Sequence, residues 1–160
     1  MSNYELKHLE PVRALRLRFL AKSHLHFAQA VAEVRTAARA HAVQGTGYPI
    51  QIVYAGRYVQ DDVESEFAIP VAESWTESLP LATFGAMTVS DLPAATAAVY
   101  LHEGSPETLN DGLADLERWA AAQSYRPGGW IRLVYRRGFV VPLPTSEWQF
   151  EVQHGLEKVP

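Results

Sequence analysis

The second half of the chain repeats part of the first. Residues Gly47–Val71 can be laid over Gly128–Val152 at a constant separation of 81, without a gap, giving eight identities in 25 positions. The identical pairs are Gly47/Gly128, Ile50/Ile131, Val53/Val134, Tyr54/Tyr135, Val59/Val140, Ser65/Ser146, Glu66/Glu147 and Val71/Val152. Four more pairs are similar: Ile52/Leu133, Tyr58/Phe139, Phe67/Trp148 and Ile69/Phe150. Strands share apolar alternation by chance, but ungapped Tyr and Ser-Glu matches point to a true internal repeat. A chain of 160 residues is then two fused units, and what one half builds the other must build too.

Each unit reads as strand, helix, strand, strand. The first helix follows Ser23, an N-cap residue, with Phe27, Val31, Val34, Ala38 and Ala42 on its apolar stripe and Gly45 as its expected left-handed stop. The second opens at Ser105-Pro106, a cap followed by proline at the first helical position, with Leu109, Leu113, Leu116 and Ala120 on the stripe. Strands are expected near Pro11–Phe19 and Ala94–His102, then Tyr48–Tyr58, Glu64–Val71, Gly129–Val140 and Ser146–Val152. The expected class is α+β: antiparallel sheet with one main helix per half and a pseudo-twofold cleft between the halves. The whole chain, 1–160, reads as one domain, with repeat 1 at about 4–75 and repeat 2 at about 86–155, joined by a turn-rich connection.

Strand alternation sorts side chains into faces. Phe67, Ile69 and Val71, with Trp148, Phe150 and Val152, are expected beneath the helices. Glu66 and Glu147 then point the other way, and Ile52 with Tyr54, like Leu133 with Tyr135, are expected to line the cleft. The candidate ligand-binding residues are therefore Ile52, Tyr54, Glu66, Leu133, Tyr135 and Glu147. Tyrosines and carboxylates in an apolar seam suit a flat, lipophilic, positively charged compound. A strand tyrosine is nonetheless more often core than ligand contact.

Other chemistries find little footing. There is no cysteine, so thiolate catalysis and Cys-based zinc sites are excluded. His24 and His26, two apart at a helix start, face different ways, and the acidic run Asp61, Asp62, Glu64, Glu66 lacks the glycine of a calcium loop. No metal or other cofactor is expected. Gly45-Thr46-Gly47 lacks the lysine of a phosphate loop, and no nucleophile-elbow serine occurs. A net charge of −4 gives no excess of basic residues for nucleic acid; Arg16, Arg18, Arg136 and Arg137 read as solvated surface. With no signal peptide and no long apolar run, the expected location is the cytoplasm, with no membrane partner.

Four segments together resemble the GyrI-like (gyrase-inhibitor-like) effector-binding family, also found as the sensing domain of AraC-type and MerR-type bacterial multidrug regulators. They are Glu64–Val71, His102-Glu103-Gly104-Ser105 leading into Leu109–Trp119, Leu133-Val134-Tyr135, and Ser146–Phe150, in order across about Leu6 to Val152. The resemblance implies a tandem strand–helix–strand–strand fold and a central cleft for bulky, hydrophobic, often cationic aromatic compounds, bound or sequestered. Two positions depart from the family. The residue two before Tyr135, acidic in many members, is Leu133 with Arg132 beside it, which leaves Glu147 and Glu66 as carboxylates. Pro70 becomes Glu151 in the second copy. Strand-like sequence from the start leads us to expect a stand-alone member without DNA-binding helices. Two alternatives remain open: a hydrolase of strained electrophilic natural products, with Glu147 as general base and Tyr135 or Tyr54 orienting substrate, or a protein partner for a regulator or for DNA gyrase.

Overall fold

The computed structural model describes residues 3–137 and 144–160. Nine strands and two α-helices follow in the order β1 (Glu5–Leu9), β2 (Val12–Ala21), α1 (His24–Ala40), β3 (Ile50–Val53), β4 (Val63–Pro70), β5 (Leu79–Pro80), β6 (Ala86–Leu92), β7 (Ala95–Glu103), α2 (Leu113–Ala122), β8 (Tyr125–Arg137) and β9 (Gln149–Lys158). They form one antiparallel sheet in the order β1-β7-β9-β8-β3-β4-β2-β6-β5. The α+β class is as expected. No helix among the described residues is long and apolar enough to cross a membrane.

Both helices cover the same face. From α1, Phe27, Ala30, Val31 and Val34 pack on Leu15, Leu17 and Phe67; from α2, Leu116 and Ala120 pack on Ala98 and Leu156. Ser23 caps α1 as expected, its Oγ accepting from the His26 N–H at 3.1 Å, an arrangement worth about 1 kcal/mol. The stop is not Gly45. The helix closes at Ala42, whose φ is 53°, with the Val43 N–H donating to the Ala38 carbonyl at 2.9 Å. This is a Schellman closure that Ala adopts at a cost of about 1–2 kcal/mol. Ser105 caps a 3-10 turn, Pro106–Gly112, and the α-helix proper begins only at Leu113.

Three strands, β1, β5 and β6, were not anticipated; β5 is a two-residue pairing on the outer edge of β6, and the other two matter for the site. They lie at the sheet's flanks and are exchanged between the halves: β1 pairs with β7, and β6 pairs with β2. The expected strand Ser146–Val152 starts later, because residues Thr145–Glu147 form a 3-10 turn.

Paired residues of an antiparallel ladder share a face, so the register assigns every side. Gln51 pairs with both Phe67 and Leu133, which puts Leu133 on the helix face with Ile131 and Tyr135. Ile52 pairs with Glu66 and Arg132, which places those three on the opposite, open face. The expectation that Tyr54 and Tyr135 share a face is therefore corrected. Even-numbered residues of β3 lie beside even-numbered residues of β8, and a shift of 81 turns even into odd.

Candidate functional site

The open face is concave. Ala14, Ile50, Ile52, Ala68 and Leu92 are buried there in one cluster, with Tyr54 and Val134 packed against it. Leu92 is the last residue of β6, and residues 92–95, running into β7, line one end of a pocket of about 310 Å³. Its other walls are Arg16 and Arg18 from β2, Ile52 and Tyr54 from β3, and Trp130 and Arg132 from β8. It straddles the central β3–β8 pair.

One row across the sheet carries the polar groups: Gln153, Arg132, Ile52, Glu66 and Arg18 lie side by side on β9, β8, β3, β4 and β2. Glu66 is fully buried, and three donors satisfy it. Arg16 forks onto it through Nε and through Nη2, the latter at 3.0 Å from Oε1, and the Tyr54 hydroxyl donates to Oε1 at 2.6 Å. Burial first, and then the bond to Glu66, pushes the Tyr54 hydroxyl up to about 12, so it stays a donor at neutral pH. Arg16 also donates through Nη1 to Ser90 Oγ and the Asp91 carbonyl. Arg18 pairs with Glu64 at 3.0 Å and lies 3.8 Å over the Tyr54 ring.

Arg132 differs. It is 4% exposed, its guanidinium 4.9 Å above the Trp130 ring. Among the described residues its side chain has one hydrogen bond, from Nη2 to the Pro93 carbonyl at 3.2 Å, and no ion pair. Burial holds it below the ordinary arginine range. Trp130 in turn lies flat on β9, where Gly155 makes room: a Cβ there would sit 2.1 Å from the indole.

Of the six residues expected to bind ligand, Ile52, Tyr54 and Glu66 come together at this pocket or directly beneath it. Leu133 and Tyr135 do not. They are buried in the core on the helix side, where the Tyr135 hydroxyl donates to Gln51 Oε1 at 2.7 Å, and burial raises its pKa. Glu147 also lies elsewhere. It sits in the turn before β9, half exposed and 3.9 Å from Arg137, beside a separate hollow of about 210 Å³. Sequence reasoning missed Trp130 and Arg132, and it left Arg16 and Arg18 as solvated surface. Their signal was available: Arg16 and Arg18 alternate with the buried Leu15 and Leu17 on β2, so both point to the face that carries Glu66. Val140 and Phe139, two members of the repeat, lie outside the described residues. No group of three or more metal-ligating side chains occurs among the described residues.

No family model and no curated protein matches the chain. Solved structures do. The EcmrR C-terminal domain superposes with a TM-score of 0.74 at 20% identity, covering 99% of this chain and 100% of that one. A hydrolase from Listeria innocua gives 0.71 at 8%, covering 96% and 91%. SAV2435 bound to tetraphenylphosphonium gives 0.53 at 11%, covering 98% and 94%. The fold is the GyrI-like one.

Proposed function

We propose that this chain binds bulky aromatic small molecules in the open-face pocket. The carrying observation is the pairing of two ring walls, Tyr54 and Trp130, with an apolar floor of Ile52 and Leu92 in one concave seam. SAV2435, similar in fold, holds an aromatic ligand, which supports the same use of the fold. That ligand is a lipophilic cation, and it is also the main support for the cationic preference expected from the sequence. Binding is favoured over hydrolysis, although one structural neighbour is a hydrolase. Both oxygens of Glu66 are engaged by Arg16 and Tyr54, while Glu147 and Tyr135 lie away from Tyr54. Titration of the chain with aromatic dyes, followed by fluorescence polarisation, tests the reading. Trp130→Ala and Tyr54→Ala are each expected to weaken a bound dye by about tenfold, in line with about 1–3 kcal/mol for an aromatic wall; Glu147→Gln should change it by less than about twofold. Saturable binding indifferent to both aromatic substitutions would place the site elsewhere.

We infer further that the chain is a tandem duplication of units at about 4–75 and 86–155, related by a pseudo-twofold axis normal to the sheet between β3 and β8. The support is a strand order that matches from both sides, β1-β7-β9-β8 against β6-β2-β4-β3. The exchanged pairs also correspond: Leu9 lies opposite Ala95 and Val12 opposite Leu92, so β1–β2 maps onto β6–β7 at 95 − 12 = 92 − 9 = 83. On this reading the equivalence drifts along the chain, and the pocket lies at the seam.

A further inference from the structure

We infer that the compound held in this pocket carries a carboxylate, or another anion that accepts two parallel hydrogen bonds, received by Arg132; this rests on the reading that the pocket binds aromatic small molecules. The walls and the groups beneath them carry Arg16, Arg18 and Arg132 against Glu64 and Glu66, a surplus of 3 − 2 = +1. Arg16 and Arg18 have their carboxylates. Arg132 has none, and its cross-strand neighbours are the uncharged Ile52 and Gln153. The nearest acid on β9, Glu151, is engaged by Arg136 at 3.1 Å and by Gln153 at 2.8 Å.

A buried guanidinium without a counter-charge is costly unless something supplies one. Among the described residues no carboxylate pairs with it directly: Glu66 acts on it only at a distance and is itself held by Arg16 and Tyr54, while Arg132 lines the pocket walled by the Tyr54 and Trp130 rings. The planar fork matches a carboxylate with two parallel N–H···O bonds. Trp130 and the Pro93 carbonyl hold the fork from one side and one end. A two-ring aromatic acid would set its carboxylate on Arg132 and its rings between Trp130 and Tyr54, in a pocket at the small end of ligand sites.

Calorimetric titration with three probes of one shape tests this: 2-naphthoate, 2-naphthamide and 2-naphthylmethylammonium. The naphthoate is expected to bind at least about tenfold more tightly than either of the others. Arg132→Gln should weaken the naphthoate by about tenfold or more and the amide by less than about threefold. Arg132→Lys, which keeps the charge and loses the fork, should fall between and serves if the glutamine variant does not fold. An ammonium probe that binds as tightly as the acid, or an Arg132 substitution that weakens acid and amide equally, overturns the anion inference and leaves aromatic binding standing. No binding by any of the three probes overturns both.

Discussion

His154 is buried beneath α2's side of the sheet, 2% exposed, with no hydrogen-bond partner at Nε2. Its ring stacks on Tyr100 at 6.0 Å. Burial lowers its pKa to about 4 from an ordinary 6.5, so the fold holds the neutral imidazole. The unfolded chain binds a proton that the folded chain refuses between those values. Stability is therefore fully present above about pH 6.5 and lost as pH falls toward 4, at roughly 2 kcal/mol between pH 7 and pH 5. Melting curves at the two pH values should show this loss for the parent chain and a much smaller one for His154→Leu. An equal loss in both would assign the acid sensitivity to other groups. Nothing in the sequence marked this histidine, because its isolation depends on three strands and a helix meeting around it. Glu66 was legible for the opposite reason: its place in the alternation of β4 already set it against Phe67.

At the scale of elements, alternation within a strand was readable and the relation between strands was not. Phe67, Phe150 and Val152 are beneath the helices as their spacing required. The relative phase of β3 and β8 depends on hydrogen-bond register, which leaves no local trace, so Tyr135 was given the wrong side. Register also shapes the pocket wall. β8 bulges between Pro127 and Ile131, where Gly129 takes φ 83°, and Trp130 leaves this bulge to lie on Gly155. A methyl at 155 would sit 2.1 Å from the indole, so the ring has to move. Gly155→Ala should thus push Trp130 off β9, shift its fluorescence, and weaken aromatic ligands by about tenfold, although residue 155 does not line the pocket. A variant with unchanged Trp emission and affinity would show that the ring finds a second seat.

For the whole molecule, the exchanged flanking strands bind each half to the other. Tyr4, just ahead of β1, packs edge-on against Tyr100 at 5.0 Å and against Trp119 at 5.4 Å. A chain beginning at Glu10 loses that packing and bares the edge of β7. It should melt lower by several degrees, taking about 2 kcal/mol for a part-buried aromatic and its strand, and should self-associate through the bared edge in gel filtration. An unaltered melting temperature and a monomeric profile would make β1 dispensable. The exchange at the other flank bears on the order in which a growing polypeptide can commit itself. The layer beneath α1 includes Leu79 and Met87, and β2 finds its second neighbour only in β6. During translation the first half therefore has a helix and three strands in hand, yet an unclosed interior, until residue 92 has been made. Its apolar underside is open for that interval and closes only when β6 is added beside β2.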